Sequence, residues 1–266
     1  MDRTAPPSGL CSAMTPTVTA IRRYPVKGLS GEDLPAVELV EGRALPLDRA
    51  YGLLHGPAAL DSEREGWRPA ADFFTLERTE KLALLDTEFD ADTHSLIVRR
   101  GGRQVTRGRL DQMVGRMLVE QFFAAYLDGL VPGMPKLVAA KGCAFTELEE
   151  PTVTLLNLAS VRDLEERVAK QPVDPRRFRA NLLIDGLEPW VERHWVGRVL
   201  DIGGASLRLV APMEYSPAWD VNPTTGARDF NALPVLERGY GHSRCGVHAQ
   251  VVKGGRIALG DPVSLV

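Results

Sequence analysis

ANLLIDGLEPWVERHWVGRVLDIGGASLRLV, residues 180–210, breaks into three short apolar runs, Ala180–Ile184, Val199–Ile202 and Leu207–Val210, separated by the pairs Asp185-Gly186 and Gly203-Gly204. Runs this short, rich in Leu, Ile and Val and closed by turn dipeptides, read as strands; a helix would need ten or more periodic positions. The punctuation continues downstream, where Val247–Val252 and Arg256–Val263 are further extended runs. Upstream, Val153–Leu156 is apolar throughout. Val161, Leu164 and Val168 then share one face of a helix that ends before Pro172, with Asn157 or Ser160 as its N-cap.

The first half has the same texture. An extended segment starts at Val18, Ala20, Tyr24 and Val26, and Val37–Val40 and Ala50–Leu54 follow at the close spacing of an all-β barrel or sandwich. Leu110, Met113, Val114, Met117 and Leu118 recur at helical spacing, which predicts an amphipathic helix over Asp111–Leu127 with that stripe facing the core, despite Gly115. The Pro132–Pro135 segment then breaks the chain. The expected organisation is a disordered tail over 1–16, rich in Pro and Ser, a β domain over 17–135 and a second β domain over 136–266: a mainly β fold with a few helices.

At 266 residues, 44% hydrophobic and 25% charged, the chain has the composition of an ordinary globular protein. A net charge of -3 gives no global attraction to nucleic acid or anionic membrane, so any anion site must be local. No apolar run reaches spanning length. Three cysteines without a CxxC pair argue against a disulfide framework and fit a reducing cytoplasm. Phosphate-loop, dinucleotide, zincin and nucleophile-elbow motifs are absent. His242, Cys245 and His248 have a suggestive spacing, but on a strand Cys245 points away from both histidines, so no metal site is assigned.

Seven blocks together are similar to the MOSC family and the β-barrel domain that accompanies it: IRRYPVKGLSGE (21–32), GRALPLDRAYGLL (42–54), LLNLASVRDL (155–164), RRFRANLLIDGLEPWVERHWVG (176–197), VNPTTGARD (221–229), GYGHSRCGVHAQV (239–251) and GDPV (260–263). The resemblance implies an N-terminal β-barrel-like domain, a C-terminal MOSC barrel, and a pocket between them for the pyranopterin phosphate of a molybdenum cofactor. Lys27, Arg49, Arg179 and Asn181 match its basic and amide positions, with Asn157 and Ser160 counted in the same binding set. Such groups beside turns suit charge-assisted recognition of an anion.

The segment PMEYSPAWD (212–220) departs from the pattern, because Tyr215 and Ser216 stand where the resemblance calls for Arg and Cys. Pro69-Ala70 likewise stands where it calls for Pro-Lys. A serine hydroxyl is no soft thiolate, which argues against sulfur-type metal ligation. The expected function is therefore an enzyme with a basic pocket for a small anionic substrate, diverged from molybdenum chemistry. Ser216, Glu214, Tyr215 and His242 are the candidates for acid–base or nucleophilic roles. The alternatives are a molybdenum-cofactor-binding oxidoreductase or sulfur-transfer protein, and a non-catalytic carrier.

Overall fold

In a computed structural model, residues 15–130 and 133–266 are described. The tail expected over 1–16 lies outside them except for its last two residues, of which Pro16 accepts a hydrogen bond from the Val263 amide at 2.8 Å. The predicted mainly β fold is observed: sixteen strands and four α-helices lie among the described residues.

Eight strands form the main sheet, in the spatial order Val263–Leu265, Val199–Ile202, Ala205–Glu214, Arg244–Lys253, Val153–Asn157, Leu182–Asp185, Thr17–Arg23 and Glu32–Leu34. Every neighbouring pair is antiparallel except Val153–Asn157 with Leu182–Asp185, which is parallel. The sheet curls until its margins meet, where Val18 and Gly260 exchange backbone bonds with the opposite segment. Both faces of the central strands are buried. Leu155, Leu182 and Ile184 point into the curl with Val18, Ile202, Leu207 and Val247, whereas Leu156 and Leu183 point outward against Val161, Leu164, Phe178, Trp219 and Leu236. Two buried faces explain why these strands are apolar at consecutive positions.

A third core belongs to a three-stranded sheet (Val26–Lys27, Tyr51–Leu54, Lys136–Ala139) and a three-stranded meander (Leu85–Asp90, Ser95–Arg100, Arg103–Arg109). It reaches across to Ala218 and Val221.

Three local expectations are corrected. The helix Met113–Tyr126 exists, but of its predicted core stripe only Leu110, just before the helix, is buried: Met113 is 78% and Val114 63% exposed, while Gly115, Val119, Glu120 and Phe123 are buried. Apolar residues lie almost all round this helix, so periodicity could not choose its face. The close backbone approach of Gly115 to Arg109 on the adjacent strand does. The helix after Asn157 is α only over Leu158–Asp163 and continues as a π-turn through Ala169, with Asn157 accepting from the Ala159 amide as its N-cap. The run Arg256–Val263 is two short strands, Gly255–Ala258 and Val263–Leu265, divided at the Gly260-Asp261 turn.

Candidate functional site

A cleft of about 280 Å³ opens where the curled sheet meets the three-stranded sheet, lined by Lys27, Arg49, Glu77, Glu147, Arg179, Tyr215, Ser216 and His248 among others. Lys27 ends the short strand Val26–Lys27 and is followed by Gly28, whose φ of +89° and tight approach to the Phe74 carbonyl tolerate no side chain. The Lys27 ammonium is 3% exposed and donates to the Phe145 carbonyl at 2.9 Å and to Glu147 Oε1 at 2.7 Å. Burial lowers its pKa, and the Glu147 carboxylate opposes that shift.

Arg49 and Arg179 reach the cleft from left-handed backbone, with φ of +48° and +53°. Two non-glycine residues held there together are a mark of stored strain at a site. Arg49 pairs with buried Asp48 and donates to the Arg179 carbonyl at 2.9 Å; Arg179 donates to the Leu29 carbonyl at 2.8 Å. Both guanidiniums stack on Tyr24, at 4.8 and 4.3 Å from its ring centroid. The ring quadrupole helps offset the repulsion between them. Burial, with Arg49 beside it, brings the Arg179 guanidinium down to about 10, so it stays charged at neutral pH.

Glu147 is 54% exposed at the cleft mouth. Burial pushes its carboxyl up, but the charge and hydrogen bond of Lys27, with Arg49 and Arg179, outweigh that and hold it below the ordinary range. His248 is 5% exposed, and its Nδ1 is buried without a hydrogen-bond partner. Burial pushes this imidazole down to about 4; Glu147 opposes the shift and Arg49 adds to it.

A histidine whose folded pKa lies below its unfolded value of 6.5 binds its proton more readily when the chain unfolds, so its neutral burial stabilises the fold above about 6.5 and is lost as pH falls toward 4. From pH 7 to pH 5 this one group should remove about 2 kcal/mol of stability. Denaturant unfolding at both pH values should show a smaller loss for His248→Gln than for the wild type.

The candidate residues of the 212–220 segment divide. Ser216 Oγ donates to Glu77 Oε1 at 2.5 Å and accepts from the Ala218 amide at 3.2 Å, capping the turn Pro217–Asp220. Tyr215 points its hydroxyl at Asp220 Oδ2, 2.7 Å away, and burial with that bond brings its pKa up to about 12. Glu214 lines the rim, but its carboxylate is engaged by Arg244 at 2.7 Å and Ser243 at 3.2 Å.

Four candidates do not line the cleft. Asn181 is buried, accepting from the Thr154 amide and hydroxyl and donating to the Arg22 carbonyl. Asn157 and Ser160 both donate to buried Glu192, at 2.8 Å each. His242 lies against Trp190 and Tyr240 and accepts from the Arg244 amide. Cys245 sits at full burial in the outer core, and burial raises its thiol pKa well above the ordinary value. The expected alternation is broken at left-handed Gly246, since Cys245 packs outward while Val247 and Ala249 point into the curl, so Cys245 and His248 are not on opposite faces. No group of three or more His, Cys, Asp or Glu able to hold a metal occurs among the described residues. No helix among them is long and apolar enough to cross a membrane.

Sequence reading missed Glu77, Glu147, Thr154 and His248. His248 stood out only through its spacing from His242 and Cys245, and the left-handed break at Gly246 removes the alternation that would have placed it. Glu147 carried no such signal, because its partner Lys27 lies 120 residues away.

A family model described as the MOSC domain matches residues 144–264, the stretch that supplies Glu147, Arg179, Ser216 and His248. The chain carries a MOSC domain. Among solved structures, YiiM from Geobacillus stearothermophilus is 21% identical over 43% of this chain and 53% of its own, with a TM-score of 0.34, so the match spans about half the length of that protein. The YuaD protein from Bacillus subtilis is 11% identical over 95% and 96% of the two chains, with a TM-score of 0.41. A search of curated proteins finds no match. Lys27, Arg49 and Glu77 come to the cleft from before the MOSC domain.

Proposed function

We propose that the protein is a MOSC-fold enzyme that binds a small anionic substrate in this cleft and acts on it without a sulfur-anchored molybdenum centre. The observation that carries this reading is the convergence of Lys27, Arg49 and Arg179, from three distant points of the chain, on a cleft that also holds a neutral imidazole with an unpartnered nitrogen. Charged donors in a partly desolvated cleft are the usual means of gripping a carboxylate or phosphate.

The cations suit the phosphate end of the cofactor that the MOSC resemblance implies; the remaining donors do not fit its metal end. Among the described residues the lining holds no cysteine, and Cys245 is fully buried in the outer core. The hydroxyl at Ser216, standing where the resemblance calls for a thiol, is a hard oxygen bonded to Glu77. Glu77, Glu147 and Glu214 add three carboxylates to the lining, opposing the charge of the three cations.

Within this reading Lys27 and Arg179 hold the anion. Ser216 is the nucleophile or proton donor at the rim, and Glu77 is the acceptor for its proton. Tyr215 and Glu214 position this turn through Asp220 and Arg244. A non-catalytic anion carrier is the second reading, favoured by the capping bond that gives Ser216 a purely structural task.

Calorimetric titration with acetate and with inorganic phosphate tests the site. The wild type should show one saturable site for at least one of them, and Arg179→Gln should bind about 30-fold more weakly, the loss of one charge-assisted contact of about 2 kcal/mol. Equal binding by the two proteins would remove Arg179 from the site.

A further inference from the structure

Among the described residues Glu147 is the one carboxylate that reaches the buried Lys27 ammonium, and its own attachment is unusually firm for a half-exposed side chain. It belongs to the segment between the strands Lys136–Ala139 and Val153–Asn157. The preceding Phe145 is 1% exposed and packs on Phe73 at 4.7 Å between centroids, and its amide donates to the Arg49 carbonyl at 3.0 Å. Thr146 is buried, with its carbonyl accepting from Trp67 Nε1 at 2.9 Å. The backbone is thus pinned to the cleft wall while the side chain beyond it remains free to rotate into water.

Resting on the anion-site reading above, we propose that Glu147 is a tethered stand-in for the ligand: its carboxylate fills the anion subsite at Lys27, and the ligand is a small carboxylate that binds by displacing it. A buried ammonium needs an anionic partner, so the subsite is filled by one carboxylate or the other. The position is now filled by a carboxylate group, which sets the size and geometry of what replaces it. The ligand has further contacts that Glu147 does not use. Arg179 gives only Nη2 to the protein, leaving Nη1 and Nε without a protein acceptor among the hydrogen bonds of the described residues. His248 Nδ1, buried in the same lining, is also unpartnered. The exchange makes the empty cleft self-satisfied and sets a threshold that weak anions fail to pass.

The test is calorimetric titration of acetate into the wild type and Glu147→Gln, an isosteric change that removes the competing charge. Glu147→Gln should bind acetate about tenfold more tightly. Unchanged or weaker binding by the variant, with the wild type still binding, overturns the exchange and leaves the anion site standing. Absence of binding by both proteins overturns the anion-site reading and the exchange with it. A readout on the unaltered protein guards against misfolding of the variant. By 13C NMR of labelled glutamate, acetate saturation should move the Glu147 carboxyl titration upward toward that of free glutamate, and an unmoved titration overturns displacement.

Discussion

Gly115→Ala should destabilise the protein by about 3 kcal/mol, at the upper end of what over-packing a well-packed contact costs. Helix propensity alone predicts the opposite sign, a gain of about 1 kcal/mol for replacing glycine inside an exposed helix. The structure decides between them. A Cβ at Gly115 would run into the backbone of Arg109, coming within 2.7 Å of its carbonyl carbon and closer still to its oxygen and nitrogen. Gly108 faces the same contact from the other side, with its own Cβ position 2.8 Å from the Gly115 carbonyl carbon. Neither obstacle is a side chain that could turn aside. The helix would have to lift off the strand Arg103–Arg109, loosening Val119 and Phe123 in the core beneath. Denaturant midpoints for wild type and variant measure the difference; a stabilised variant would mean that the helix sits differently.

Arg177→Ala should cost about 3 kcal/mol or more, and should also weaken anion binding although Arg177 does not line the cleft. Its guanidinium is buried and donates to the carbonyls of Trp219 at 3.4 Å and Asp220 at 3.1 Å and to the Asp229 carboxylate, lying 5.6 Å from the Phe230 ring centroid. It therefore ties the turn Pro175–Phe178, which leads directly into left-handed Arg179, to the segment carrying Ser216. Truncation takes a donor from the carbonyls of Trp219 and Asp220 and releases the turn that aims Arg179. Asp229 is 42% exposed, so water relieves part of its lost pairing and keeps the cost near the lower end for a broken buried pair. Unfolding free energy and anion affinity should fall together; an affinity unchanged in a destabilised variant would separate Arg177 from the aim of Arg179.

Much of the architecture was legible because strand periodicity and turn chemistry are local. The runs Ala180–Ile184 and Val199–Ile202 and the turn at Gly203-Gly204 correspond closely to observed elements. The face of the helix Met113–Tyr126 was not legible, since a glycine-to-backbone approach leaves no apolar pattern in the sequence. At the cleft, Lys27, Arg49 and Arg179 stood out by residue type beside turns, and they do converge. Asn157, Ser160 and Asn181 looked equally suitable for binding an anion. Their polar groups instead satisfy Glu192, Thr154 and backbone within the protein, a distinction that only tertiary contacts reveal. Glu147 was invisible for the reason that makes it informative, a charge partner far away in sequence.

The account rests on the cleft being an anion site built on Lys27 and Arg179 and lacking a thiol grip on metal. The most direct measurement is titration of acetate and phosphate into wild-type protein purified from a host that makes molybdenum cofactor, with molybdenum content determined on the same sample. Saturable anion binding that Arg179→Gln weakens, in protein without stoichiometric molybdenum, is the predicted result. Stoichiometric molybdenum, or a cleft that binds neither anion, would contradict it.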